Sequence, residues 1–347
     1  IGKRGEGFGI ALSILHMGRI KLGANVFGAS KKAINDSVSY ANERKQFGTL
    51  ISAFGSIRYK LAEQVIRTWA LESAIYRLSK DIDDQISRLK SEGMDKGRAS
   101  IEGIAHYAVE AAILKVYGSE VLDYVIDEAV QIHGGMGYSA EMAVERGYRD
   151  SRINRIFEGT NEINRLLVSD TAMKRALKGE YDIFGKAEEL FNSGHVADPA
   201  SDSESYFEEK MRYLRNFKKA TLLVIHGAMK QFEKNLVNEQ EILNNISDMM
   251  MEIYVAESMA LRVEKLRNMK GEEAVSLYMD ILDVYIYDIA GDLTKSGCDA
   301  ANSLGHAEVA AKLNGMIESC TRVAPVNVKE ARRRIAAKLI DDNAYKF

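Results

Sequence analysis

A chain of 347 residues with only two prolines, Pro199 and Pro325, contains almost nothing that stops a helix. An interior proline removes a backbone donor and clashes with the preceding turn, so its scarcity favours long helical runs. The apolar spacing says the same. Leu22, Val26, Ala29 and Ala33 recur at intervals of four, three and four, which sets them on one helical face. Residues 52–85 continue in that style, with Leu61, Val65 and Trp69 in one stripe. Alternating β-branched runs of the strand type do not interrupt it.

The breaks in the pattern predict an element order. A charged, glycine-containing stretch from Asp81 to Gly97 reads as a helix end plus a loop, and a long helix is expected from about Arg98 to Gln131. Gly134, Gly135 and Gly137 stop it, and a short helix follows from about Met142. Gly147 and Gly159 bracket the next segment, after which a helix runs toward Lys178. The stretch 179–205, ending in GHVADPASDSES, has linker composition. Beyond it Leu214, Phe217, Val224, Ala228 and Phe232 again fit one face, with further helices near 238–268, 272–296, 299–319 and 327–341. The expected fold class is all-α: an up-and-down, four-helix-type bundle over 1–178, a linker over 179–205 and a second helical bundle over 206–347.

Composition narrows the function. A net charge of −3 gives no overall pull toward nucleic acid. Cys298 and Cys320 have no CxxC spacing and read as two reduced thiols. His106, His195, His226 and His306 show no helical i,i+3 or i,i+4 pairing, so no metal site is expected. No stretch has the length and apolarity of a membrane span. The chain opens on Ile1, so the natural N-terminus and any targeting segment are expected to lie upstream.

Three segments carry chemistry. YANERKQFG (40–48) is a helix end rich in cations and closed by a glycine, an arrangement that also serves as an ordinary C-terminal cap. QIHGGMGY (131–138) packs three glycines into four residues, where a ligand or another backbone can approach closely. It is not the dinucleotide fingerprint, since no strand precedes it, and a plain connection between helices explains it equally. RIFEGTNEINR (155–165) sets Glu158 in a hinge, with Ile156 and Phe157 before it and Gly159 leaving room beside it. A glutamate is by default a solvated surface charge.

Together with the opening GEGFGIALSILHMGRIKLGA (5–24), these segments, in this order and spacing, resemble the C-terminal catalytic domain of acyl-CoA dehydrogenases over about residues 5–175. The remainder is similar to the extra helical domain of the very-long-chain branch. The resemblance implies an FAD enzyme that converts an acyl-CoA to a trans-2-enoyl-CoA in fatty acid β-oxidation. Glu158 would take the α-proton while the β-hydride passes to the flavin. A carboxylate in a closed apolar site suits that task, because desolvation favours proton uptake. The thioester carbonyl would be polarised by the backbone N–H of the base and a flavin hydroxyl.

By the same resemblance Arg44, Gln46 and Phe47 would reach FAD across a subunit interface. Gln131, Gly134 and Gly135 would approach its adenosine and pyrophosphate side, and Thr160 and Asn161 would touch it beside the base. Arg19 and Gly159 would lie against the substrate; for Arg19 a structural ion pair is the competing reading. In some branches, such as isovaleryl-CoA dehydrogenases, the base precedes the residue matching Arg19; here that position is Gly18, which leaves the role to Glu158.

Family members carry an N-terminal helical domain and a middle β-barrel domain ahead of this one, so the chain is expected to be part of a longer protein. The implied partners are acyl-CoA, an electron-transferring flavoprotein and a second copy of the chain in a homodimer or higher homo-oligomer. The implied compartment is the cytoplasm of a bacterium or the mitochondrion of a eukaryote. Asp182, Glu188, Glu189, Asp198 and Asp202 make the linker region a poor membrane anchor, and Arg332 to Arg334 read as a solvated face. Two other functions remain open: an acyl-CoA oxidase, which shares the base but reduces oxygen, and a non-catalytic helical assembly module.

Overall fold

The computed structural model describes residues 4–5, 7–194, 196–201 and 203–347; His195 and Asp202 lie outside them. The chain divides into two compact units, the first running to Asn164 and taking back Val328–Phe347, the second comprising Arg165–Asn327. Helices account for nearly all of both units, as the all-α expectation requires.

In the first unit α1 (Gly7–Glu43), α2 (Gly55–Ser91) and α4 (Ala108–His133) pack side by side. A minimal hairpin, β1 (Lys45–Gln46) with β2 (Thr49–Leu50), turns the chain between α1 and α2. The core contains Trp69, Leu61, Leu71, Ile34 and Leu114, none with more than 2% exposure. Burying one such side chain contributes roughly 1.5–3 kcal/mol. The α1 stripe differs by one step from expectation. Ala29 is exposed and Ser30 is buried instead, its hydroxyl donating to the Val26 carbonyl at 2.8 Å. A serine satisfied within its own helix can face the core.

Several boundaries move. Asp81 and its neighbours do not end α2, which continues to Ser91 with Lys80–Asp84 and Arg88–Glu92 pairs along its exposed side. Charges spaced i,i+4 support a helix as readily as they suggest a loop. The expected helix from Arg98 to Gln131 is two: α3 (Lys96–His106), capped by Asp95 accepting from the Gly97 and Arg98 amides, and then α4. Tyr107 separates them with φ −99° and ψ 35°, and nothing in the local sequence explains the break. After α4 come α5 (Ala143–Arg152) and α6 (Asn161–Leu177).

The stretch 179–205 is not all linker. Ile183–Ser193 forms α7, begun by Asp182 accepting from the Gly185 amide at 2.7 Å and closed by Gly194 at φ 73°. Its polar composition hid a short apolar stripe that buries Ala187. The second unit continues through α8 (Tyr206–Phe232), α9 (Gln240–Lys270), α10 (Ser276–Asn302) and α11 (Ala307–Cys320), around Leu214, Phe217, Ile246 and Met249.

The final helix, α12 (Val328–Asp342), was expected to close the second bundle; it packs on α2 in the first unit. Arg332 is no solvated cation: its Nε donates to Glu63 at 2.7 Å. Buried Ile335 and Leu339 face the core, and Asn42 donates to the Ile340 carbonyl at 3.0 Å. An amphipathic helix shows which face it buries but not against what, so sequence order alone assigned it to the wrong neighbour. Among the described residues no helix is long and apolar enough to cross a membrane, and no cluster of metal-ligand residues occurs.

Candidate active site

Between α5 and α6 a short 3-10 turn (Ile153–Arg155) leads into Phe157, Glu158, Gly159 and Thr160. Glu158 has φ 59° and Gly159 φ 83°, two left-handed residues in succession. The glycine adopts this readily, whereas for a glutamate it stores of order 1–3 kcal/mol and persists only if the surroundings impose it. They do. The Glu158 carbonyl accepts from Arg19 Nε on α1 at 3.3 Å and from Asn164 Nδ2 on α6 at 3.3 Å. The same Asn164 amide also donates to the Gly159 and Thr160 carbonyls at 2.8 and 3.0 Å.

The Glu158 side chain lies against α1 at Gly18. A β-carbon built on Gly18 would stand 2.6 Å from Oε2 and 2.7 Å from Oε1, so the missing side chain is the space that the carboxylate fills. Beside it, Arg19 is 5% exposed, with Nη1 3.3 Å from His16 Nδ1. Burial draws the Arg19 guanidinium below its ordinary value, and the charge of Glu158 opposes that shift. The guanidinium thus meets the base loop through Nε and His16 through Nη1.

Asn161 follows one residue after Thr160 and is buried. Its side chain turns inward, accepting from Lys115 Nζ at 2.7 Å and donating to Ser119 Oγ and Glu120 Oε1 at 3.0 Å each. Thr160 accepts from the Ile163 amide at 3.3 Å, as a helix-starting residue does.

The other predicted residues gather elsewhere in the first unit. Arg44, Gln46, Phe47, Gly134 and Gly135 line one groove of about 760 Å³. Phe47 is 93% exposed at φ 51°, unusual for a bulky side chain, with its ring edge-on to Phe54 at 6.2 Å. Met136 and Tyr138 add exposed apolar surface nearby in sequence, and open space surrounds the α-carbons of Gly134 and Gly135. The floor is stiff, because His133 stacks on Tyr40 at 4.2 Å and its Nδ1 lies 2.7 Å from the Ala129 carbonyl oxygen. Gln131 is exposed on the last turn of α4, outside the lining. Glu158 does not line this groove either.

Two residues at the base loop escaped the sequence reading. Asn164 carries no signal, since an asparagine on an amphipathic helix reads as surface. Lys115 does carry one: it is a lone charge within AAILKVYG, a run otherwise suited to the core.

Residues 5–173 match a family described as acyl-CoA dehydrogenase, C-terminal domain, and residues 216–317 match a second family of the same description. A curated relative from Bacillus subtilis (strain 168), named probable acyl-CoA dehydrogenase, is 37% identical over 345 residues, 99% of this chain and 58% of its own length. The mitochondrial very long-chain specific acyl-CoA dehydrogenase of Rattus norvegicus is 34% identical over 279 residues, 73% of this chain and 39% of its own length. A crystal structure of a Bacillus anthracis acyl-CoA dehydrogenase complexed with FAD superposes with a TM-score of 0.96 at 38% identity, covering 100% of this chain and 59% of that one. Acyl-CoA oxidase 1 of Arabidopsis thaliana has a TM-score of 0.68 at 15% identity over 95% of this chain and 50% of its own, which shows a shared fold alone. The chain spans less than two thirds of the length of these relatives.

Proposed function

Because this chain belongs to the acyl-CoA dehydrogenase family, we propose that it is the C-terminal part of an FAD-dependent enzyme that converts acyl-CoA thioesters to trans-2-enoyl-CoA, with Glu158 as the α-proton base. The observation that carries this reading is the investment of structure in one carboxylate. Glu158 is held in a strained backbone conformation by Arg19 and Asn164 and fitted against the bare α-carbon of Gly18.

An α-proton beside a thioester is weakly acidic, so a base must meet it at hydrogen-bond distance in a fixed orientation. A carboxylate oxygen of Glu158 takes that proton, and the Cα–H electron pair, delocalised toward the thioester carbonyl, becomes the Cα=Cβ double bond as the β-hydride leaves with its own pair. FAD, when bound, supplies the hydride acceptor. Arg19 and Asn164 act on the Glu158 carbonyl and so fix the backbone from which its side chain projects.

The residues of the groove fit part of such a cofactor. Arg44 offers a cation for a phosphate, Gln46 an amide, Phe47 an exposed ring, and Gly134 and Gly135 an unobstructed backbone. Gln131 at the rim and Thr160 beside the base complete the proposed contacts, with Asn161 contributing through its backbone. This groove lies apart from Glu158 in its lining, which supports the reading that a second copy of the chain shares the cofactor. We assign the electrons to an electron-transferring flavoprotein, the pathway to fatty acid β-oxidation, the assembly to a homodimer or higher homo-oligomer and, in a bacterium, the compartment to the cytoplasm.

The test is Glu158→Gln in the full-length parent, mixed anaerobically with acyl-CoAs of graded length. Flavin and acyl-CoA binding should persist while flavin reduction falls by at least roughly 10²–10⁴-fold. Reduction at the wild-type rate would remove Glu158 from the role. With the wild-type parent in air, oxygen consumption in place of flavoprotein reduction would identify an oxidase.

A further inference from the structure

Lys115 is fully buried on α4, between Leu114 and Val116, which are equally buried. Taking an ammonium out of water is strongly unfavourable unless it is paired, and an apolar chain of the same length would fill this space without that penalty. Its Nζ donates at 2.7 Å to Asn161 Oδ1, a neutral acceptor. Ser119 and Glu120, one turn along α4, receive the other end of the same amide. The Asn161 side chain is therefore docked on α4 through both its oxygen and its nitrogen.

Asn161 opens α6 and lies three residues after Glu158, separated from the left-handed pair Glu158–Gly159 by Thr160 alone. Arg19 and Asn164 hold the near side of that hinge through the Glu158 carbonyl. Lys115 holds the far side. Resting on the reading of Glu158 as the α-proton base, we propose that Lys115 is a positioning residue for it, fixing Asn161 and through it the strained hinge that sets the carboxylate against Gly18.

The electrostatics agree with this geometry. Burial pushes the Lys115 ammonium down to about 8, with Glu162, Glu120 and Glu158 opposing the shift and Arg19 adding to it. Each of these charges lies on α1, α4, α6 or the hinge itself, so the lysine faces the elements that converge on the base. Buried groups perturbed in this way concentrate at functional sites.

The experiment uses the full-length parent with Lys115→Met, Asn161→Ala and the double variant. Without substrate, amide hydrogen exchange over residues 157–163 should accelerate in Lys115→Met, with the second unit unchanged. With saturating acyl-CoA under anaerobic conditions, flavin reduction should slow by roughly 10–100-fold while the acyl-CoA dissociation constant holds, as expected for a base displaced by a fraction of an ångström. Because Lys115 acts on the hinge through Asn161, the double variant should lose no more than the worse single one. Unchanged exchange and rate in Lys115→Met, or losses that simply add, would overturn the proposal. Should Lys115→Met fail to fold, Asn161→Ala with wild-type rate and protection overturns it equally. If Glu158→Gln reduces flavin normally, the base assignment fails on its own; the exchange arm still decides whether Lys115 holds the hinge.

Discussion

Adding one methyl group at Gly18 should separate stability from catalysis. The new β-carbon of Gly18→Ala would stand 2.6 Å from Glu158 Oε2 and 2.7 Å from Oε1. Ordinary contact begins at 3.4 Å, so the carboxylate must retreat by about 0.8 Å. It can do so, because the obstructing atoms are the end of a flexible side chain and its torsions are soft. The helix itself gains, since alanine is favoured over glycine within a helix by up to about 1 kcal/mol. The melting temperature should therefore stay level or rise, while a displacement approaching 1 Å costs on the order of 10²-fold in the rate of proton abstraction. In the full-length parent the assay is anaerobic flavin reduction at saturating acyl-CoA, set beside a thermal melt of the same preparation. Wild-type reduction by Gly18→Ala would show that the notch does not place the base. A fall of several degrees in melting temperature would show that the carboxylate cannot move independently of α1, and that too would refute the reasoning.

Two further outcomes follow from burial. Leu339→Ala on α12 should destabilise the first unit by about 2–5 kcal/mol, the usual loss for a fully buried leucine. Trp69, the sole tryptophan and fully buried on α2, reports that transition by fluorescence in denaturant, and an unmoved midpoint would place α12 outside the unit. Lys115 has an ordinary value of 10.5 when unfolded and about 8 when folded, so between these pH values the unfolded chain holds more protons and stability rises with pH. The gain is about 3 kcal/mol, present in full only near the upper end of that window, and Lys115→Met should lack it. Parallel stability curves for wild type and Lys115→Met from pH 7.5 to 10.5, with about that spacing of conditions, would contradict the assignment.

What the chain sequence determined by itself was local or ordered along the chain. Helices followed from apolar spacing and the two prolines, and the candidate base followed from EGT in its order after RKQFG and GGMG. Each of these depends on neighbours within a turn or two, and the motifs rest on resemblance, which a sequence carries directly. The tertiary structure decided everything that depends on what lies across a helix interface. It turned the Asn161 side chain onto Lys115, gave Arg19 to the Glu158 carbonyl, and made Gly18 the space for the carboxylate. It also returned α12 to α2. The physical reason is that a helix face announces its polarity and its period but not its partner. A buried lysine, a clamping asparagine and a notch in a helix acquire meaning only when residues more than 40 positions apart, such as Lys115 and Asn161, come within hydrogen-bond distance.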